Sequence, residues 1–399
     1  EIQTDIASKI VAATDNSIYQ YLPQAIVYPR KVSDIELMLK VANEEAFRSL
    51  KFCPRGGATG TNGQSLSENI IVDSSKYLNK ITKLNLEEGW VEVEPGVVLE
   101  VLNKYLAKKG YYFPHHISSA NRATIGGMIA TDASGEGSRI HGKTSDDVLS
   151  MDVVLADGND LHLEASLSKS QLLPPHTKHV LGLVAENKNA IDDHYPKIPR
   201  YANGYNLAQI DQGASVNMCK LFAGSEGSLG MILGARLRII KLKKFKFLVI
   251  CKYKNFYKAL EDARILIKSD SVAIELLDDN ILSAMRKSKY RNDLKYFHIA
   301  KSDTIEAVNI VEYHFSTQLE MQKKIDGIKG EMRVIGSLCS SFDIVTGLEG
   351  MAHVWRLRSL AVGISASLEK KAVPFIEDVA VSITDLPAYC KELRLLLDS

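Results

Sequence analysis

The sequence predicts an α+β protein built as two domains, on three observations. The chain has 399 residues, whereas a single hydrophobic core stops growing near about 250–300 residues. Helical and strand periodicities alternate along it instead of separating into one long run of each. A lysine-rich stretch, KLKKFK at 241–246, then divides two differently patterned series. The expected domains are residues 1–245 and 246–399.

Each element rests on its own pattern. In 33–43 the apolar positions Ile35, Leu37, Met38, Leu39 and Val41 fit an amphipathic helix with Ser33 as N-cap. Residues 50–53 read as a short strand, followed by the glycine-dense PRGGATGTNG at 54–63 and a second strand over 70–73. Apolar and acidic residues alternate over 90–94, a half-buried strand, and helical spacing returns over 97–109 until Gly110 stops it. A second small-residue tract fills 114–142, and 148–156 reads as a buried strand closed by the turn Asp157-Gly158. Residues 166–198 are polar and helix-leaning, and the loop GSEGSLG leads into a strand over 235–240. After the lysines come strand 247–251, helix 255–268, strand 272–277 and helix 280–287, an order that suits an antiparallel sheet with helices. The first residue is Glu1 rather than Met, and the amphipathic pattern of 386–399 meets no C-capping glycine; both read as a piece of a longer chain.

Composition excludes several partners. Lys and Arg number 49 against 48 Asp and Glu, a net charge of +1, and no basic run is interleaved with aromatics, so no nucleic acid is expected. The apolar runs fall far short of the roughly 18 residues of a bilayer span, so no transmembrane segment is expected. Cys53, Cys219, Cys251, Cys339 and Cys390 are odd in number and far apart. They read as free thiols of a cytoplasmic chain, one compatible with a peripheral place on the inner membrane, without structural metal.

In the first tract Gly57, Gly60 and Gly63 recur every third residue, which lets successive N–H groups turn to one side toward an anion. No helix opens directly after it and no Gly-Lys-Ser/Thr follows, so it is neither a Rossmann nor a Walker loop. A solvent-facing hairpin is the other reading of the same residues. The second tract, SSANRATIGGMIATDASGEG, sets Thr124, Gly126 and Gly127 ahead of a small-residue helix whose N-terminus suits a pyrophosphate. A helix that needs Gly and Ala only for close packing is the alternative. Two such tracts on one sheet imply a dinucleotide.

Five segments follow one another in order: PRGGATGTNG, VEVEPGVVLEVLNKYL, FPHHISSANRATIGGMIATDASG, HGKTSDDVLSMDVVLADG and LFAGSEGSLG. Over roughly residues 14–240 they resemble the FAD-binding domain of the vanillyl-alcohol-oxidase superfamily. TDNSIYQYLPQAIVYPR, TNGQSL and SSANRATIGGMIATDASGEGS are similar to the large bacterial FAD-linked dehydrogenases of the D-lactate and D-2-hydroxyglutarate group. The resemblance implies a two-lobed PCMH-type FAD-binding domain followed by a partial α+β substrate cap domain. It implies a first loop of cofactor contacts at Arg55, Gly56, Gly57, Ala58, Thr59, Gly60, Thr61 and Asn62, with the pyrophosphate on their backbone N–H groups. Gly126, Gly127, Asp132, Ala133 and Gly135 would wrap the other side. Pro114, Ser118, Ser119 and Thr124 would lie along the flavin and ribityl, and Gly142, Val148, Glu226 and Gly227 would border the adenosine half. Thr59 stands where members with covalent FAD place a His, which implies non-covalent FAD. Asp132 and Ser134 stand where relatives commonly carry Asn and Gly.

Oxidation of a 2-hydroxy acid needs a cation for the carboxylate and a base for the hydroxyl proton. In VWRLRSLAVG the resemblance puts Arg358 on the substrate carboxylate, against the alternative of a solvated face shared with Arg356. Lys371 is a second candidate, against an exposed loop lysine beside Lys370. The family's catalytic and metal-binding histidines follow a strand like PFIEDVAVS, which puts them beyond residue 399; no metal ligand is assigned here. His115-His116 and His176-x-x-His179 read as solvated loop histidines, and Glu377 and Asp378, adjacent in a strand, would face opposite ways. The expected activity is oxidation of a small D-2-hydroxy acid, of D-lactate or D-2-hydroxyglutarate type, with electrons leaving to an iron–sulfur domain or subunit or to a quinone. A UDP-sugar enolpyruvate reductase-like flavoenzyme and a non-catalytic flavin-binding fragment remain alternatives.

Overall fold

The computed structural model describes residues 1–198, 204–297, 299, 304–366 and 379–398. The chain divides into two compact units. The first is Glu1–Gly135 with His141–Lys241, and the second is Glu136–Ile140 with Leu242–Ser399. The short excursion of 136–140 into the second unit has no counterpart in a single break near residue 245.

The first unit contains two large sheets and, among the described residues, two short two-stranded pairs. Strands β1 (Ile2–Gln3), β2 (Ala25–Val27), β3 (Phe52–Arg55) and β4 (Ile70–Asp73) lie in the order β1-β2-β4-β3, with β2 and β3 both parallel to β4. Parallel neighbours need a crossover, and the helix Val32–Ala42 supplies it between β2 and β3. Ile35 and Leu39, one helical turn apart, bury against Val72 and Leu78. The N-cap is Lys31, not Ser33: the Asp34 carboxylate accepts from the Arg30 and Lys31 N–H groups at 2.8 and 3.2 Å. A carboxylate is the better acceptor at the positive end of a helix, so it fixes the start.

The second sheet of this unit is wholly antiparallel. Its strands β5 (Ile81–Asn85), β6 (Trp90–Val93), β7 (Val148–Val154), β8 (Asp160–Glu164) and β9 (Met231–Arg238) lie in the order β5-β6-β9-β7-β8. Inward residues alternate along β9, as period-two burial demands. Ala235 and Leu237 join Val91, Val93, Met151 and Val153 beneath the helices Leu99–Ala107 and Ile125–Ala130. Met231 and Leu233 instead meet Ile35 and Leu39, so the crossover helix packs between the two sheets. Within the polar stretch after residue 166, helices Pro175–Glu186 and Lys188–His194 form; His176 and His179 therefore sit in the first two turns of a helix, not in a loop.

The second unit is one antiparallel sheet of β10 (Phe245–Tyr253), β11 (Ala273–Leu277), β12 (Ala307–Phe315) and β13 (Ser341–Thr346), ordered β11-β12-β10-β13. The run FKFLVICKY of β10 is almost continuously apolar because helices cover both faces. Leu248 and Ile250 lie with Leu282, Met285, Val354 and Leu357 from the helices Asp279–Lys287 and Leu348–Ala366. Phe247, Val249, Cys251 and Tyr253 lie with Ala259, Leu260, Ile328 and Met332 from Phe256–Leu266 and Gln318–Ile335. Asn255 and Asp278 cap the helices that follow them by accepting from Lys258 and Ile281 N–H groups. All five cysteines are free thiols. No described helix is long and apolar enough to cross a membrane. Lys371, Glu377 and Asp378 lie outside the described residues.

Candidate functional site

The glycine tract after β3 is not a hairpin, because β3 and β4 run parallel, Phe52 opposite Ile70 through Arg55 opposite Asp73. Nor do the two tracts share a sheet: the first leaves β3, and the second caps the helix Ile125–Ala130, which packs on the second sheet through Ile125 and Ile129. They meet nevertheless. A Cβ on Gly57 would fall 2.8 Å from the Arg122 carbonyl carbon and 3.2 Å from Ala123 Cα, an approach open only to glycine. The Thr124 side chain accepts from Gly127 N–H as the helix N-cap, and a Cβ on Gly56 would collide with its hydroxyl.

Other motif segments close on the same region. The Glu226 N–H donates to Ala130 O at 2.9 Å, and a Cβ on Gly227 would strike the Pro54 ring. Gly135 packs on the backbone of His116 and Ile117, which places Ala133 and Gly135 against the loop carrying Pro114, Ser118 and Ser119. Among the described residues, three of the four non-glycine residues with positive φ, Ala58 (51°), Asp132 (46°) and Glu226 (50°), occupy these loops, one in each. Such backbone strain concentrates where a loop's course is over-determined. Burial pushes the Glu226 carboxyl above its ordinary value.

Between the tracts lies a cleft of about 460 Å³, lined from the first by Arg55, Gly57, Ala58 and Thr59 and from the second by Ser119, Asn121 and Arg122. Gly60, Thr61 and Asn62 continue the first loop, where the Asn62 N–H donates to Gln64 Oε1 at 3.1 Å. Thr14, Asp15 and Asn16 complete the lining. Sequence reasoning missed these three along with Asn121 and Arg122, although Arg122 is the one cation inside SSANRATIGGMIATDASGEG. Arg55 is tied by its guanidinium to Ala12 O and Thr14 O at 3.0 and 2.7 Å.

A polar network ties the end of the second tract to the residues that lead into β7. Buried Asp132 pairs with Lys143 Nζ at 2.5 Å and accepts from Ser145 N–H at 2.9 Å. Lys220 is paired with Asp146 and donates to Ser145 Oγ at 2.9 Å. Asp147 lies 2.9 Å from both His115 Nε2 and Arg238 Nε. His115 is thus a buried, paired histidine and not a solvated one, whereas His116 is exposed. Gly142, at φ 72°, turns the chain into this network, and Val148 opens β7 just after it.

In the second unit, Arg358 in the helix Leu348–Ala366 donates from Nε and Nη2 to Glu275 Oε2 of β11, at 3.0 and 2.7 Å. Glu312 of β12 lies 2.8 Å from His314 Nε2 and 3.7 Å from Lys246 Nζ. Glu136 hydrogen-bonds to Glu312, and its carboxyl is pushed up to about 9, first by burial, then by that bond and by the charges of Glu312 and Glu275. Its folded value stands above the ordinary carboxyl value of 4.5, so this group's stabilisation is full at acid pH and is lost as pH rises through about 9. Urea midpoints should therefore fall between about pH 5 and about pH 9, and Glu136→Gln should flatten the decline. An undiminished slope in the variant would show that no proton is shared there.

Residues 23–164 match the family model for an FAD binding domain, and residues 242–399 match that for the FAD linked oxidases, C-terminal domain. The chain belongs to the FAD-linked oxidase family. The chain is 36% identical to a D-2-hydroxyglutarate dehydrogenase of Pantoea ananatis over 99% of its own length and 40% of the relative's. It is likewise 36% identical to one of Escherichia coli, over 99% of this chain and 41% of that one. A D-lactate dehydrogenase [cytochrome] of Arabidopsis thaliana is 25% identical over 95% of this chain and 57% of that protein. The chain thus spans about two fifths of the first two relatives. A solved alkyldihydroxyacetonephosphate synthase shares the PCMH-type fold, with a TM-score of 0.70 at 16% identity over 99% of this chain and 72% of that one.

The cofactor of the FAD-linked oxidase fits the cleft on the chain's own terms. A diphosphate needs clustered N–H donors and positive charge. The backbone of Gly57, Ala58 and Thr59 on the lining supplies the first, and Arg55 and Arg122 supply the second, whereas the N–H groups of Ile125, Gly126 and Gly127 are taken by Val97 O, Pro95 O and the Thr124 hydroxyl.

Proposed function

We propose that the chain binds FAD without a covalent link and oxidises a small D-2-hydroxy acid, of D-lactate or D-2-hydroxyglutarate type. The observation that carries this reading is the apposition of Gly57 with the Arg122–Ala123 backbone across one cleft. The names of the relatives support the substrate class. FAD, when bound, supplies a two-electron acceptor for the hydride on the hydroxyl-bearing carbon. The N–H groups from Gly56 to Thr61 hold the pyrophosphate with Asn62 beside them, and the Thr124-capped turn of Gly126 and Gly127 backs that loop. Pro114, Ser118 and Ser119 line the flavin side, while Gly142, Val148, Glu226 and Gly227 border the adenosine side. Asp132, tied to Lys143 and Ser145, holds the turn carrying Ala133 and Gly135 in place.

In the second unit, the Arg358 guanidinium takes the substrate carboxylate, and Lys371 is a further substrate contact. Electrons then pass to an iron–sulfur domain or subunit, or to a quinone. Anaerobic addition of D-lactate or D-2-hydroxyglutarate to FAD-loaded protein should bleach the flavin band, while the L-enantiomers should not. No flavin band even after FAD is added would end the proposal. Because Thr59 is not a His, acid precipitation is expected to leave the yellow colour in the supernatant; colour retained in the washed pellet would reveal a covalent bond.

A further inference from the structure

We propose that Glu275 is the positioning residue for Arg358, holding one edge of the guanidinium so that the opposite edge faces a substrate carboxylate. This rests on the reading of Arg358 as the carboxylate partner. Nε and Nη2 both donate to one oxygen, Glu275 Oε2, at 3.0 and 2.7 Å. These two nitrogens form the side edge of the planar group. Among the described residues Arg358 makes no other hydrogen bond. Nη1 and the outer N–H of Nη2 are left as an end-on fork, the geometry that takes a carboxylate through two parallel bonds.

The two partners come from elements that the core fixes. Glu275 sits in β11 opposite Ile310 of β12, and Arg358 follows Leu357, which is buried with Val354 against the same sheet. The Arg358 side chain is 36% exposed and that of Glu275 21%. Without an anchor, a long side chain at that exposure would sample several rotamers, and few of them would present the fork.

Glu275 acts on an incoming carboxylate in two opposed ways. Its negative charge repels the ligand, while its hydrogen bonds orient the receptor. At this exposure the repulsion is screened by water and salt, whereas the orientation is required for both bonds to form. Orientation therefore prevails, and the sign of the effect distinguishes the two roles. Removing a mere competing charge tightens binding, and removing a positioner weakens it.

The test is calorimetric binding of D-lactate and of D-2-hydroxyglutarate to the full FAD-loaded chain, with kcat and KM taken alongside. Glu275→Ala is expected to weaken binding about tenfold, with kcat within about twofold of the parent. Glu275→Gln keeps a carbonyl acceptor and is expected to stay within about threefold of the parent affinity. Parent or tighter affinity in Glu275→Ala would overturn the positioning role. Should that variant not fold, Glu275→Asp decides: severalfold weaker binding supports the role, and unchanged affinity overturns it. If Arg358→Ala itself binds as the parent does, the reading beneath the inference fails instead.

Discussion

Gly57→Ala is expected to strip the protein of flavin while its far-UV circular dichroism stays that of the parent. The added carbon would lie 2.8 Å from the Arg122 carbonyl carbon, and nearer still to its oxygen. Both obstacles are main chain, which cannot rotate away like the tip of a long side chain. The two tracts must separate, and losing about two hydrogen bonds to a charged diphosphate, about 1.5 kcal/mol each, weakens binding about a hundredfold. We expect FAD affinity to fall by at least that factor, read as flavin content after dialysis. Gly182→Ala is the matched control, since nothing lies within 4 Å of its added carbon. Full flavin occupancy in Gly57→Ala would mean that the tracts do not grip one ligand.

Asp132→Ala should produce the largest loss of stability. Asp132 and Lys143 are each only 3% exposed, and their ion pair is 2.5 Å long. Deleting one partner of a buried pair costs about 3–5 kcal/mol, because the remaining charge stays out of water. The Ser145 N–H also loses its acceptor. Asp132→Asn should cost less, since asparagine tolerates the left-handed backbone at φ 46° and can still accept from Ser145. Urea denaturation measures both, and a loss below about 1 kcal/mol for the alanine variant would contradict a structural role for the pair.

The fold was largely legible because burial writes periodicity into the chain. The stretches 148–156, 70–73 and 247–251 read as strands and fall on strands, at Val148–Val154, Ile70–Asp73 and the longer Phe245–Tyr253. Pairing direction was not legible. PRGGATGTNG fits a hairpin or a parallel crossover equally well, and only the partner of β3 decides between them. That the tracts approach one another from different sheets is likewise a tertiary fact, beyond any local pattern.

Charged residues were the least readable. His115 looks like a loop histidine until Asp147, 32 positions later, arrives beside it. Arg358 gives no sign of Glu275, 83 positions earlier. The helix at Val32 begins at Lys31 because a carboxylate three residues on outcompetes a nearer hydroxyl, a contest between neighbours rather than a property of Ser33.

The excursion of 136–140 bears on how the protein can be dissected. Two genes split at residue 241 would strand those five residues with the wrong half, leaving the carboxyl of Glu136 bare and Glu312 short of its companion. A chimera that borrows another relative's C-terminal half therefore has to import a matching pentapeptide into the N-terminal one. The smallest exchangeable cassette is discontinuous.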